Sequence, residues 1–123
     1  MPMSREEQLN QVLRGLHQST PDIEGAAIIS MDGLIMASSL PAAVEEDRIS
    51  AMSAALYGIG ARTSEELQRG DVEQVYIKGN KGYLLITQAG NDAVLAVMAN
   101  AKAKLGIIFL DVRRAAEEVG KIV

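Results

Sequence analysis

The chain reads as an α/β (α+β type) fold, a three-layer α/β/α sandwich around a five-stranded antiparallel sheet. Three observations predict it. Three segments carry apolar residues at helical spacing, and five short apolar segments are bounded by Gly, Asn, Asp or Pro turns. The turns between neighbouring strands are too short for crossover connections, so those neighbours run antiparallel. The element order is helix, two strands, helix, three strands, helix, which places helices on both faces. No linker, internal repeat or low-complexity segment divides it, and residues 1–123 read as a single domain.

Ser4 followed by Glu7 has capping-box spacing. Leu9, Val12, Leu13 and Leu16 then repeat at i, i+3, i+4, i+7, which predicts a first helix over Arg5 to His17. Pro21 stops it, because the residue before a proline avoids helical geometry. Gly25 to Ser30 is a short buried strand, Asp32-Gly33 signals a two-residue hairpin, and Leu34 to Ser38 is the returning strand. The carboxylates of Glu45, Glu46 and Asp47 suit the amino end of a second helix, Asp47 to Leu67, which Gly70 is placed to end.

Val72 to Lys78 is the most polar strand and opens the meander. Tyr83 to Gln88 follows a Gly79–Gly82 turn. Ala93 to Ala99 is apolar on both faces and belongs at the centre of the sheet. The last helix, Ala103 to Gly120, has a core stripe of Leu105, Ile108, Phe109, Val112, Ala116 and Val119. Ile107 and Leu110 lie off that stripe, placed to meet the first helix.

Composition narrows function. A net charge of −4 argues against a nucleic-acid binder, and four aromatic residues without Trp give no base-stacking platform. The absence of Cys removes disulfide frameworks and thiolate metal sites. The amino terminus, MPMSREEQL, lacks the apolar run of a signal peptide, and no apolar run approaches the roughly 20 residues that span a bilayer. A cytoplasmic protein with no direct membrane insertion is expected.

Catalytic signatures are missing. Gly120-Lys121 has Ala115 where the first glycine of a phosphate loop belongs, no GxGxxG follows a strand, and no GxSxG occurs. His17, the single histidine, sits at a helix carboxyl end, where a cation suits the dipole. The pairs Glu45-Glu46, Glu65-Glu66 and Glu117-Glu118 are solvated helix charges, since adjacent residues on a helix do not face each other. No cofactor, no metal and no enzymatic activity of its own are expected.

The second helix stands out because it is apolar on two sides. Ile49, Met52, Leu56, Ile59 and Leu67 fall on one face; Ala51, Ala54 and Gly58 fall nearly opposite. The large stripe is expected to dock on the sheet. The small stripe is then free to admit a second backbone, since glycines at 58 and 60 each cost about 1 kcal/mol against alanine in a helix. The polar third strand is expected at a sheet edge, with unpaired backbone groups open to a second chain, or protected by Glu73 and Lys78.

The segments Gly25–Ser39 (GAAIISMDGLIMASS), the Ala-rich second helix and Val94–Val119 (VLAVMANAKAKLGIIFLDVRRAAEEV) resemble the roadblock, or dynein light chain roadblock-type, family. The stretch 101–116, AKAKLGIIFLDVRRAA, is the most specific. The resemblance covers nearly the whole chain. It implies a profilin-like arrangement, with the middle helix on one face of the sheet and the terminal helices on the other. It also implies a homodimer, with middle helices packed together and third strands paired edge to edge. On that reading the dimer interface comprises Ala51, Ala54, Ala55, Gly58, Arg62, Glu73, Val75 and Ile77.

Bacterial members similar to the gliding-motility regulator imply a binding platform that regulates or scaffolds a small Ras-like GTPase and can stimulate its hydrolysis. Arg48, Arg62 and Arg69 are candidate GTPase contacts, and Arg113 and Arg114 are further arginines with finger chemistry. The alternative is a small-molecule sensor, which needs a cavity with convergent polar groups.

Overall fold

The computed structural model describes residues 2–123. The element order is α1 (Arg5–Ser19), β1 (Ile23–Ser30), β2 (Ile35–Ser39), α2 (Glu46–Glu66), β3 (Gln74–Gly79), β4 (Gly82–Ala89), β5 (Ala93–Asn100) and α3 (Leu105–Ile122). The strands form one sheet in the order β2-β1-β5-β4-β3, and every pairing is antiparallel. The most apolar strand, β5, is central, and β3 lies at an edge, as the sequence predicts.

Two apolar layers form against the sheet. On one face α1 and α3 bury Leu9, Leu13, Leu16, Ile108, Val112 and Val119 against Ile28, Leu85, Leu95 and Val97. On the other, α2 covers Ala27, Ile29, Ile86, Val94 and Ala96. The capping pair forms: Glu7 N–H donates to Ser4 Oγ at 3.1 Å, and that hydroxyl donates back to Glu7 Oε1 at 3.0 Å.

Four local expectations are corrected. The β1–β2 connection is a three-residue turn, Met31-Asp32-Gly33, and not a two-residue one. Gly33 N–H donates to Ser30 O, Ser30 N–H donates to Leu34 O, and Gly33 takes φ +86°. The second helix is ended by Gln68 and not by Gly70. Gln68 takes φ 55°, and the amides of Gln68 and Arg69 donate to Glu65 O and Ser64 O, a Schellman closure with the left-handed residue at C′.

Ile107 and Leu110 do not meet α1; each stays 53% exposed. Thr20, just past the end of α1, hydrogen-bonds Asp111 of α3, so α1 stops one turn short of Ile107. The seam between the helices is made instead by Val12, Gly15, Leu16, Asp111 and Ala115.

The fourth correction concerns α2. Its buried residues are Ser50, Ser53 and Tyr57, whereas Met52 is 53% and Ile59 64% exposed; Leu67 is exposed, and Ile49 and Leu56 are only partly covered. The inward face is the Ser50, Ser53, Tyr57 row between the two apolar stripes; Ala51 and Gly58 stay exposed, and Met52 and Ile59 of the large stripe point away. The helix lies close to the sheet and to the Gly33 turn. A β-carbon at position 60 would lie 2.5 Å from Val75 Cγ2, and one at Gly33 would lie 3.5 Å from Ala51 Cα and 3.8 Å from Ala54 Cβ. A helix seated this low has no room for Ile or Met beneath it. Tyr57 is the largest side chain that α2 buries, and its hydroxyl donates to Gln88 Oε1 at 2.9 Å.

These contacts make stability testable at two positions. Gln68→Gly relieves the left-handed strain and should stabilise the fold by about 1 kcal/mol in urea unfolding. Gly60→Ala should cost about 1–3 kcal/mol by lifting α2 off β3. Val75→Ala makes the space that a methyl group at position 60 needs. The double variant should therefore lose less than the sum of the two single changes, a coupling read from a double-mutant cycle.

Candidate functional site

The outward side of α2 and the neighbouring edge of the sheet form one surface. Along the helix, Arg48, Met52, Ala55, Ile59 and Arg62 recur at helical spacing on the exposed face. Ile49 and Leu56 flank them on the side nearest β3, the side on which Gly60 touches Val75. Between the amino-terminal half of α2 and the β3–β4 hairpin lies an open groove of about 630 Å³, lined by Val44, Ile49, Ile77, Leu84 and Met98 among others. Met98 and Met52, which look like core in the sequence, border this surface instead of filling the interior.

The chain as a whole exposes more surface than its mass predicts. Area scaling for a chain of this mass gives roughly 6,400 Å², whereas the folded chain exposes 7633 Å². Reburying Met52, Ile59 or Ile77 would return about 1–2 kcal/mol each, against under about 1 kcal/mol for Ala51, Ala55 or Gly58. The large stripe therefore has most of the capacity to hold a partner.

The two sheet edges differ. β2 has five residues, its pairing with β1 shifts register between Ile28 and Ile29, and α1 lies against it. β3 has six residues in unbroken register with β4, from Gln74↔Thr87 to Gly79↔Gly82. A short, bulged edge discourages pairing, and a regular one permits it.

The residues expected at the dimer contact fall into three groups. Ala55 and Arg62 lie on the outward face. Ala51 and Ala54 approach the Gly33 turn, and Gly58 sits exposed with open space at its α-carbon. On the strand, Val75 packs under α2, Ile77 is exposed, and Glu73 precedes β3.

The arginines also separate. Arg48 makes a 3.6 Å surface ion pair with Glu45, and Arg62 shares the face of Met52 and Ile59. Arg69 is tied into the helix-ending loop, with its Nε donating to Leu67 O at 2.9 Å. Arg113 and Arg114 are exposed on α3, across the sheet from α2. The sequence reading missed Met52, Ile59 and Met98 as surface residues. The signal available was the Ser50, Ser53, Tyr57 spacing, which marks the inward side with polar atoms and is easily passed over.

At the opposite end of α2 a cleft of about 780 Å³ is lined by Tyr57, Glu65, Gln68, Asp71 and Gln88 among others. Burial pushes the Tyr57 phenol up from its ordinary value, and the Asp71 carboxylate adds to the shift. The cleft lies at the surface and does not enclose a ligand-sized space within the sheet layers. Among the described residues no group of His, Asp and Glu is arranged to hold a metal ion, and no helix is long and apolar enough to cross a membrane.

Comparison with known proteins gives the fold and surface a family. The Roadblock/LC7 domain family matches residues 9–99. The uncharacterized protein MJ1340 of Methanocaldococcus jannaschii is 37% identical over 111 residues, covering 90% of this chain and 96% of its own. The solved gliding protein MglB of Thermus thermophilus superposes with a TM-score of 0.85 at 20% identity, covering 99% of this chain and 93% of its own. Profilin II of Acanthamoeba castellanii shares the layout more distantly, with a TM-score of 0.65 at 20% identity over 96% of this chain and 98% of its own. The extent of the family match and the identity to the archaeal relative place this chain in the Roadblock/LC7 family.

Proposed function

We propose that the chain acts in the cytoplasm as a homodimeric, non-enzymatic platform that regulates or scaffolds a small Ras-like GTPase. The observation that carries the reading is the exposed apolar pair Met52 and Ile59, flanked by half-buried Ile49 and Leu56, beside the regular free edge of β3. Family membership and the likeness to MglB gliding proteins support it. A twofold pairing counts every buried residue twice, which helps offset the roughly 4–15 kcal/mol cost of association.

The residues assigned to the dimer shift accordingly. Ile49, Met52, Leu56 and Ile59 join Ala55, Arg62 and Ile77, while Ala51 and Ala54 serve the helix-to-sheet contact. Pairing presents two copies of α2 side by side, and Arg48 and Arg62 become the arginines best placed to meet a GTPase. A GTPase whose switch loops are ordered by GTP presents a different surface from its GDP form, so the platform discriminates between the two states. Stimulated hydrolysis would follow if the dimer orders the GTPase's own catalytic groups.

Light scattering should give twice the chain mass, and replacing Met52 and Ile59 together by Glu should give a folded monomer by circular dichroism. Mixing the chain with a Ras-like GTPase encoded beside its gene should show binding that differs between GTP and GDP forms, lost in the double variant. Absence of binding in either nucleotide state sinks the GTPase reading.

A further inference from the structure

The five lysines of the chain are not spread evenly over it. Four of them, Lys78, Lys81, Lys102 and Lys104, stand exposed at one end of the sheet. The pairing of Gly82 with Asn100 brings the Asn80-Lys81 turn beside the loop that leads into α3. That loop is held by Lys102 N–H, which donates to Asn100 Oδ1 at 2.9 Å, and by Ala103 N–H, which donates to Asn100 O at 3.2 Å. Two carboxylates share this end. Asp22 accepts from Asn100 Nδ2 at 3.1 Å, and Glu24 lines the groove on the α2 side. Four ammonium groups against two carboxylates leave a positive end on a chain whose net charge is −4. Among the described residues the single side-chain ion pair is Arg48 with Glu45, so none of the four lysines is ion-paired.

The same end carries uncovered apolar side chains on the α3 face. Ile107 and Leu110 are each 53% exposed, and Tyr76 is 50% exposed. Tyr76 lies on the α3 side of β3, where its ring meets Phe109 edge-to-face with centroids 5.7 Å apart. Strand alternation puts Lys78, two residues along, on that side too. Around α3, Leu110 follows Phe109, and Ile107 lies one turn earlier, next to Lys104. Arg113 and Arg114, both exposed, close the patch on its far side. Asp111 is engaged at the α1 seam, where it accepts from Thr20. The apolar side chains thus form a band across the outer side of α3, with lysines at one end and arginines at the other.

We infer that this face docks on an anionic lipid surface. Charge complementarity selects the occupant: the basic side chains meet the headgroup phosphates, and the apolar band enters among the headgroups. Tyr76 suits that level of a bilayer, with an apolar ring and a polar tip. The acidic remainder of the chain does not prevent the approach, since charges farther than about 8 Å are largely screened at physiological salt.

Shape favours a bilayer over a protein. Tyr76, Ile107 and Leu110 stand on the outside of a helix and a strand edge and line none of the clefts described above. The anchors of a protein interface fill pockets instead. Docking at headgroup level needs no spanning helix. Glu117 and Glu118 are exposed in the carboxyl half of α3, and anionic lipid repels them, so the amino half leads. The face lies across the sheet from α2, which makes docking independent of the homodimer and GTPase readings.

Vesicles of phosphatidylcholine with about 30% phosphatidylserine should retain the chain in co-sedimentation, and vesicles of phosphatidylcholine alone should not. Each lysine near the surface strengthens binding about fivefold, so Lys102→Gln with Lys104→Gln should weaken it by at least about tenfold. Ile107→Ser with Leu110→Ser should also weaken it by at least about tenfold, with circular dichroism unchanged in both pairs. The chain has no Trp, so Leu110→Trp supplies a single emitter. Its emission should shift to the blue on anionic vesicles, and that of Arg48→Trp, on the α2 side, should not.

Failure of the anionic vesicles to retain the chain overturns the proposal, and so does equal retention by neutral ones. Retention that survives the Ile107, Leu110 change, with unshifted emission from Leu110→Trp, is a plain polyanion contact that an acidic protein would satisfy as well. That outcome overturns lipid docking.

Discussion

The low seat of α2 on the sheet is the constraint from which the rest of the surface follows. The missing side chain at position 60 brings the helix against Val75, and the Gly33 turn rises to meet Ala51 and Ala54. At that separation only Ser50, Ser53 and the flat ring of Tyr57 fit beneath the helix. Met52 and Ile59 point outward, while Ile49 and Leu56 stay half-buried at the side of the helix. A helix normally orients by burying its largest apolar side, which makes this arrangement costly for an isolated chain. The cost is recovered when something else covers the exposed stripe.

The two faces of the sheet make the same point by contrast. Over one face, α1 and α3 lie side by side and enclose a continuous layer of Leu, Ile and Val. Over the other, a single helix leaves Leu84, Met98 and Ile77 along an open groove. α2 crosses the sheet and touches all five strands, but a helix about 10–12 Å wide leaves the sheet beside it open. The uncovered part of the sheet lies toward β3, not β2, and that asymmetry decides where a further layer can be added.

Much of this was legible in the sequence. Turn residues and periodicity place all eight elements, because both signals are local. The sequence also shows that the second helix has two apolar sides. It misassigns which side turns inward, because that depends on a contact between residues far apart in the chain, Gly60 and Val75, and between the helix and the Gly33 turn. Hydrophobicity alone favours Ile49 and Met52 over Ser50 and Ser53, and tertiary spacing overrides it. The same limit explains Ile107 and Leu110. Their distance from the core stripe was visible, and Pro21 marks the end of α1, but the alignment of α1 along α3, in which Thr20 meets Asp111, is a tertiary contact that no local pattern encodes.

Two features of independent origin lie on the same side of the molecule. The direction in which the α2 stripe leans is set by packing against the sheet, through Gly60. The availability of the β3 edge is set by backbone geometry, through the Asn80-Lys81 turn and an unbroken register. Had the stripe leaned toward β2, a single twofold contact could not have covered the helix and satisfied the strand together, because β2 and β3 lie at opposite edges of the sheet. Since both point the same way, one second copy can bury the apolar stripe and the free peptide groups at once. A symmetric interface of this kind needs only one patch that is complementary to itself, and in the proposed homodimer the outward residues of α2 and the free edge of β3 supply that patch from one side of the molecule.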